Sequence, residues 1–338
     1  MTTPLLDVRG LSVSFAGRGG PIRVIDDLSF QVNEQETLCI VGESGSGKTV
    51  ALLSMLGLLD PLSSRVEGSA LFKGEDILCA SKEKLRQIRG SQIALISQDP
   101  MTAMTPVHTI GWQIVEQIRT HNDISRRAAW NRAVELLGEV GIAKPRMIAE
   151  CYPHQLSGGM RQRAVIAMAL SCNPSLLVAD EPTTALDVTV QAQVLDLLRR
   201  LRRDFGSSVV LITHDMGVVA EMADRVLVMY AGRIVEHASC EAIFADPWHP
   251  YTWGLLDSIP PMAGPRPDRL FSIPGAPPLP HRRPPGCVFE PRCHARSAAC
   301  TNPPPRRMAD RREALCFIEY DDRQAARTPE FSEVDKSV

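Results

Sequence analysis

Short apolar runs alternate with longer stretches of helical periodicity along most of the chain. Four of these runs are typical of buried strands in a parallel sheet, at residues 38–41, 93–96, 176–179 and 209–213. Each run is followed by polar or glycine-rich sequence. Since ligands bind beyond the carboxyl ends of the strands in an open α/β sheet, the pattern predicts an α/β fold with a functional site at that edge.

Two changes in this pattern divide the chain. Between residues 98 and 163 the strand signals give way to helical segments, which predicts a helical insertion. Ten of the 26 prolines fall between Ile259 and Pro285, and they exclude a regular helix or central strand there. We therefore expect a first domain at residues 1–245, with a helical subdomain at about 98–163, and a Pro- and Cys-rich C-terminal extension at residues 246–338.

Composition narrows the class of protein. The chain has 338 residues, 44% of them hydrophobic and 22% charged, with a formal net charge of −2. These values are ordinary for a globular protein and argue against a nucleic-acid partner held by bulk positive charge. No run approaches the roughly 18 apolar residues that cross a bilayer, and the start of the chain lacks the pattern of a signal peptide. We expect a cytosolic protein that serves any membrane process by docking onto embedded partners.

A glycine-rich segment directly after the first predicted buried strand has the eight-residue pattern of a phosphate-binding loop. In such loops the backbone N–H groups and the following helix N-terminus face the phosphates of ATP. Lys48 is expected to reach the β- and γ-phosphates, and Thr49 to bind Mg²⁺. The residues expected to bind ATP here are Gly42, Glu43, Ser44, Gly45, Ser46, Gly47, Lys48, Thr49 and Val50.

Two acidic residues end the third predicted buried strand. On their own, two acids at this position are more typical of a helix cap or a solvated turn. Together with a phosphate loop, they predict two separate roles in ATP hydrolysis, one for each carboxylate. Asp180 would hold Mg²⁺ through its water shell, and Glu181 would act as general base or orient the attacking water.

The segment Leu156-Ser157-Gly158-Gly159-Met160 resembles the LSGGQ signature of the ABC ATPase family. A Ser-Gly-Gly sequence at a helix start is suited to presenting N–H groups and a hydroxyl to an anion. The resemblance implies that this anion is the γ-phosphate bound by the opposite subunit. The active unit would then be a head-to-tail dimer that encloses two nucleotides.

The resemblance implies a P-loop domain with a parallel-sheet core, an antiparallel β edge and a helical insertion. Other elements of that family occur in the expected order. Gln98 resembles the Q-loop residue that senses Mg²⁺ and water, and the segment ending at Asp187 resembles the D-loop. His214 resembles the switch histidine, which implies a hydrogen bond to the γ-phosphate or to Glu181. Phe15 is the candidate for the aromatic ring that stacks on adenine, although a strand phenylalanine is more often part of the core.

One branch of the family is matched more closely than the others. The Q-loop sequence starting at Gln98, the sequence around the signature and Asp180, the stretch Pro247-Trp-His-Pro-Tyr-Thr and the tail resemble ATPases of dipeptide, oligopeptide and nickel importers. Ala103 to Pro106 differ from the sequence usual in that branch. The difference affects the surface expected to receive the coupling helices of the membrane subunits, and it leaves the nucleotide site unchanged. The resemblance implies an ATP-hydrolysing subunit that energises import of peptides or of a small solute such as nickel or glutathione.

The same resemblance implies partners and a location. These partners are two transmembrane permease subunits and a second, homologous ATPase, with a solute-binding protein acting indirectly. The chain would sit peripherally on the cytoplasmic face of the inner membrane.

The alternative is a soluble ABC ATPase of DNA repair or translation, which would share every nucleotide motif. Such proteins carry a long coiled coil or two cassettes, whereas this chain has a single compact cassette.

Four of the nine cysteines lie in the extension, at Cys287, Cys293, Cys300 and Cys316. Disulfides are disfavoured in a reducing cytosol. A zinc site usually takes its thiolates in closely spaced pairs, which are missing here, but zinc and the absence of any metal both remain open. The tail resembles the segment that carries an iron-sulfur cluster in relatives, which implies a [4Fe-4S] centre bound by these four residues.

Overall fold

The chain folds into two β-sheets flanked by helices, and the computed structural model describes residues 3–17, 19–183, 187–260 and 271–327. The strands are β1 (Leu6–Phe15), β2 (Ile22–Val32), β3 (Thr37–Val41), β4 (Ser64–Phe72), β5 (Glu75–Asp76), β6 (Ile93–Ile96), β7 (Leu176–Asp180), β8 (Ser208–Thr213), β9 (Arg225–Tyr230), β10 (Arg233–Ser239), β11 (Arg306–Ala309) and β12 (Arg312–Leu315). The helices are α1 (Lys48–Met55), α2 (Lys82–Ile88), α3 (Pro100–Ala103), α4 (Ile110–His121), α5 (Arg126–Glu139), α6 (Pro145–Ala149), α7 (Gly158–Leu170), α8 (Val188–Phe205), α9 (Met216–Met222), α10 (Cys240–Ala245), α11 (Pro250–Asp257) and α12 (Arg323–Arg327).

The larger sheet contains the four buried strands that the apolar runs predict. Its strand order is β11-β12-β10-β9-β3-β8-β7-β6, and β9, β3, β8, β7 and β6 run parallel to one another. Every residue of β3, β7 and β8 is buried, as expected for strands covered on both faces. Because these strands are parallel, their carboxyl ends share one edge. This edge positions the candidate site.

The smaller sheet is antiparallel, with the order β2-β1-β4-β5. Its inward side chains share one hydrophobic cluster with α1 and with one face of the larger sheet, including Leu11, Ile25, Ile40 and Leu52. The antiparallel β region implied by the family resemblance is therefore present as a separate sheet. It packs beneath α1 and so supports the start of that helix.

The helical region between β6 and β7 consists of α3 to α7. The helices predicted at residues 109–119 and 125–140 correspond to α4 and α5. The last helix, α7, continues to Leu170, past the expected subdomain boundary at residue 163, and its apolar side chains pack in the core beside β7. Within the described ranges, no helix is long and apolar enough to cross a membrane.

The C-terminal extension joins the larger sheet. Its strand β12 pairs with β10, placing Ala314 opposite Glu236 and Glu313 opposite His237, and β11 pairs with β12. The sequence did not predict this pairing, because no recognisable apolar run marks β11 or β12. Residues 261–270 of the proline-rich stretch lie outside the described residues.

Candidate active site

The phosphate loop connects β3 to α1, and its glycines are favoured by positive φ angles and, at two positions, by close packing. Gly42, Gly45 and Gly47 have φ values of +152°, +79° and +101°. A Cβ atom on Gly42 would lie 2.2 Å from the carbonyl oxygen of Met229, and one on Gly47 would lie 2.7 Å from the side chain of Ile25. Only glycine fits this tight loop without displacing its neighbours.

Lys48 lies at the start of α1, 6% exposed, and its ammonium group points back into the loop. Nζ donates hydrogen bonds to the carbonyl oxygens of Gly42, at 2.7 Å, and Glu43, at 3.1 Å. Burial lowers the pKa of Lys48, while the neighbouring carboxylates, Glu181 first among them, act in the opposite direction. The loop therefore holds a buried cation where phosphate oxygens are expected.

Asp180 and Thr49 lie next to each other, as a magnesium site requires. Asp180 ends β7, and its carboxylate accepts a hydrogen bond from the Thr49 hydroxyl. Burial raises the pKa of Asp180, and its Oδ1 atom is buried with no hydrogen-bond partner. A hydroxyl oxygen beside a carboxylate oxygen that lacks a donor matches the hard oxygen ligands of Mg²⁺. These two residues therefore fit the ion.

Glu181 is the centre of a three-residue cluster. The Nε2 atom of Gln98 donates to its Oε2 at 3.2 Å, and Nδ1 of His214 lies 3.2 Å from its Oε1. The three residues follow β6, β7 and β8, so the shared carboxyl edge of the sheet brings them together. Glu181 has φ +46°, a conformation that is uncommon for a residue with a side chain, and its N–H donates to the carbonyl oxygen of Ile212 at 2.9 Å.

The signature segment caps the N-terminus of α7. The Ser157 hydroxyl accepts a hydrogen bond from the N–H of Met160 at 3.4 Å, while Leu156 is buried beneath it. Ser157 and Gly158 are exposed, and a Cβ atom on Gly159 would lie 3.0 Å from Val190 of α8. A serine hydroxyl and helix N-terminal N–H groups are thus presented at the surface of the chain.

The remaining candidate residues have clear positions. Asp187 caps α8, with Oδ1 accepting from the N–H of Val190 at 2.9 Å, whereas Ala185 and Leu186 of the expected D-loop lie outside the described residues. Phe15 at the end of β1 and Val50 in α1 are half-buried against the cluster beneath α1. Phe15 therefore retains an exposed part that is available for stacking.

The four cysteines of the extension line one cavity of about 260 Å³. Burial raises the pKa of Cys287 to about 11 and that of Cys293 to about 12, and it also raises the pKa of Cys316. All four cysteines, including Cys300, are free thiols. Among the described residues, no group of three or more His, Cys, Asp or Glu side chains is arranged to hold a metal ion. The expectation of an iron-sulfur centre is not confirmed by this arrangement.

Sequence reasoning missed two contacts between the phosphate loop and residues beyond position 245. The N–H of Glu43 donates to the Tyr251 hydroxyl at 2.8 Å, and the Glu43 carboxylate forms an ion pair with Arg292. Both partners stand inside motifs that identified the importer branch. Nothing in those motifs indicated which part of the cassette they contact.

Comparison with known proteins identifies two matching families. Residues 25–184 match the family described as ABC transporter, and residues 235–300 match the oligopeptide/dipeptide transporter C-terminal region. A putative peptide import ATP-binding protein of Brucella abortus is 52% identical over 304 residues, covering 90% of this chain and 91% of that protein. The oligopeptide transport ATP-binding protein AppD of Bacillus subtilis is 46% identical over 317 residues, covering 93% and 96%.

A solved structure supports the same conclusion from geometry. The dimeric, post-hydrolysis ATP-binding cassette MJ0796, bound to ADP and Pi, is 26% identical with a TM-score of 0.63, and the match covers 70% of this chain and 98% of that one. The fold, the order of the motifs and the similar proteins all indicate the same family. The chain belongs to the ABC transporter ATPases, in the branch of oligopeptide and dipeptide import ATP-binding subunits.

Proposed function

We propose that this chain binds and hydrolyses ATP to energise an ABC importer of peptides or of a related small solute. The observation that carries the proposal is the position of Glu181, held between Gln98 and His214 at the sheet edge that also bears the phosphate loop. Similarity to peptide import ATP-binding proteins over nine-tenths of the chain supports the importer role over one in DNA repair or translation.

Each residue of the site has a definite task in this proposal. Lys48 and the loop N–H groups bind the phosphates, while Thr49 and Asp180 hold Mg²⁺, which neutralises phosphate charge when bound. Glu181 accepts or directs the proton of the attacking water. Gln98 and His214 hold the Glu181 carboxylate. Gln98 would also sense bound Mg²⁺, and it links the site to the helical subdomain.

The second half of each site comes from a partner in our proposal. Ser157 and Gly158 are exposed and would contact the γ-phosphate of the ATP that the partner binds. Met160 in the signature suggests that this partner is a second, homologous ATPase, so that the pair is a heterodimer. The dimeric state of the similar cassette MJ0796 supports an arrangement of two cassettes. Two transmembrane permease subunits, served by a solute-binding protein, complete the importer, with this chain peripheral on the cytoplasmic face of the inner membrane.

Assembly gives the direct test of this function. The isolated chain lacks a partner signature at its nucleotide, so we expect its hydrolysis rate to be at least about tenfold below that of the complex with the second ATPase and the permeases. Within that complex, Ser157→Ala should lower turnover relative to the unchanged complex, since it removes a hydroxyl directed at the partner's nucleotide. Steady-state ATPase rates in lipid nanodiscs measure both effects. Full activity of the isolated chain would contradict the heterodimer.

We further propose a [4Fe-4S] centre in the cavity lined by the four cysteines. The support is their convergence from positions up to 29 residues apart onto one cavity, together with the family resemblance. The raised pKa values of Cys287 and Cys293 mean that a metal must displace their protons on binding. When bound, such a centre would hold together a segment with little hydrophobic core of its own.

Metal content decides this proposal. We expect about four iron and four labile sulfide per chain after anaerobic purification, with broad absorbance near about 400 nm. Cys293→Ser should remove the iron, while Cys79→Ser, which changes an exposed cysteine of the cassette, should not. Stoichiometric zinc without iron would contradict the cluster, and a folded, metal-free extension would contradict any metal.

A further inference from the structure

Glu43, the second residue of the phosphate loop, is held by the C-terminal extension through two parallel hydrogen bonds. Arg292 donates from one terminal nitrogen to Oε2 at 2.5 Å and from the other to Oε1 at 3.0 Å. The two residues are 249 positions apart. This forked geometry is the strongest form of an arginine-carboxylate pair and fixes direction as well as distance.

The guanidinium group of Arg292 is itself fixed on several sides. Its side chain is 5% exposed, and its Nε donates to the carbonyl oxygen of Pro274 at 2.8 Å. Further donations reach the carbonyl oxygen of Ile273 at 3.2 Å and the hydroxyl of Tyr230 at 3.3 Å. A buried charge satisfied by this many acceptors has one available position, so it can impose that position on Glu43.

A second contact holds the backbone of the same residue. The Tyr251 hydroxyl accepts the N–H of Glu43 at 2.8 Å, and the Tyr251 ring is fully buried against Tyr230 and Phe289. Both the side chain and the peptide group of Glu43 are thus held from outside the cassette motifs. The carbonyl oxygen of Glu43 is also one of the two that accept from Lys48, so the position of this residue affects the phosphate-binding ammonium group.

A carboxylate in a loop that binds triphosphate is electrostatically unfavourable. Unpaired, Glu43 would repel the phosphates and compete with them for Lys48. Arg292 pairs with this carboxylate and offsets its negative charge. The pair therefore acts on nucleotide affinity, whereas the groups that act on the attacking water lie on other strands.

We propose that Arg292 is a positioning residue for the phosphate loop, through which the C-terminal extension sets the affinity of this subunit for ATP. The inference rests on the proposed nucleotide site. Arg292 lies between Cys287 and Cys293 in sequence and directly precedes the latter, so it also connects the cysteine-lined cavity to the phosphate loop. Loss of order in that cavity displaces Arg292 and weakens ATP binding without altering any residue of the loop.

Equilibrium binding of Mg-ATP and steady-state kinetics of the full complex test the proposal. We expect Arg292→Ala to raise the Kd and KM for ATP about tenfold, with kcat at saturating ATP changed less than about twofold. Arg292→Lys, which keeps the charge but loses the fork, should show about a threefold effect. The matched control is Arg282→Ala, which removes an exposed arginine side chain from the same extension and should leave the KM unchanged.

A double-mutant cycle separates positioning from general loss of structure. With Glu43→Gln as the background, Arg292→Ala should raise the Kd less than about threefold, because the charge that it neutralises is gone. Equal effects in both backgrounds, or an unchanged KM in Arg292→Ala, would overturn the proposal. If Arg292→Ala does not fold, Arg292→Lys in the two backgrounds gives the same comparison. Retained binding in Lys48→Ala would instead overturn the nucleotide site itself.

Discussion

Replacing Glu181 by glutamine should lower ATP hydrolysis by about 10²- to 10⁴-fold while leaving ATP binding within about twofold of the unchanged protein. Glutamine has nearly the same shape and still packs between Gln98 and His214, but it cannot accept the proton of the attacking water. Single-turnover hydrolysis and equilibrium ATP binding, both in the assembled complex, separate the two effects.

Glu241→Gln is the matched control for this experiment. It removes one exposed carboxylate from α10, outside the site, and should change neither measurement. Hydrolysis near the normal rate in Glu181→Gln would show that another group activates the water, and the task assigned to Glu181 would then be wrong.

Lys48→Ala should have its effect on binding. The ammonium group is buried and held by two loop carbonyl oxygens, where it is ready to donate charge-assisted hydrogen bonds to phosphate. Its loss should weaken ATP binding about 10- to 100-fold, as expected for a hydrogen bond to a charged group. Titration with Mg-ATP measures this change directly.

Lys73→Ala provides the comparison for Lys48. Lys73 is an exposed lysine whose ammonium group donates to Ser175 at 2.8 Å, so its removal changes net charge equally without touching the loop. We expect unchanged ATP affinity in this variant. Equal loss of binding in both variants would indicate a general charge effect and would contradict the assigned contact between Lys48 and phosphate.

The central strands and their polar ends were predictable because local sequence determines them. An apolar run that ends in a polar residue or glycine indicates both a buried strand and the exposed end of that strand. Four such runs end at Gly42, Gln98, Asp180 and His214. Once the strands are parallel, their ends must meet, so the proximity of Gln98, Glu181 and His214 follows from topology. The family resemblance supplied the roles, and the overall α/β class was confirmed by solved cassettes.

Contacts between distant parts of the chain were not predictable in this way. Arg292 ends a single short turn beyond the proline-rich stretch, and no periodicity there indicates which surface it faces. Its partner Glu43 was recognised only as a position in a loop pattern. The pairing depends on the path of the chain after β10, and that path is set by the packing of Tyr251 and Phe289 against Tyr230 rather than by any local signal.

The pairing of β12 with β10 has a consequence for the integrity of the cassette. Backbone groups of Glu236 and His237 face Ala314 and Glu313 across this pair, so the extension covers what would otherwise be an open strand edge. Open edges with unpaired N–H and C=O groups recruit strands from other molecules. Proteolytic loss of the last 93 residues would therefore produce a chain prone to self-association through β10, in place of a smaller working ATPase.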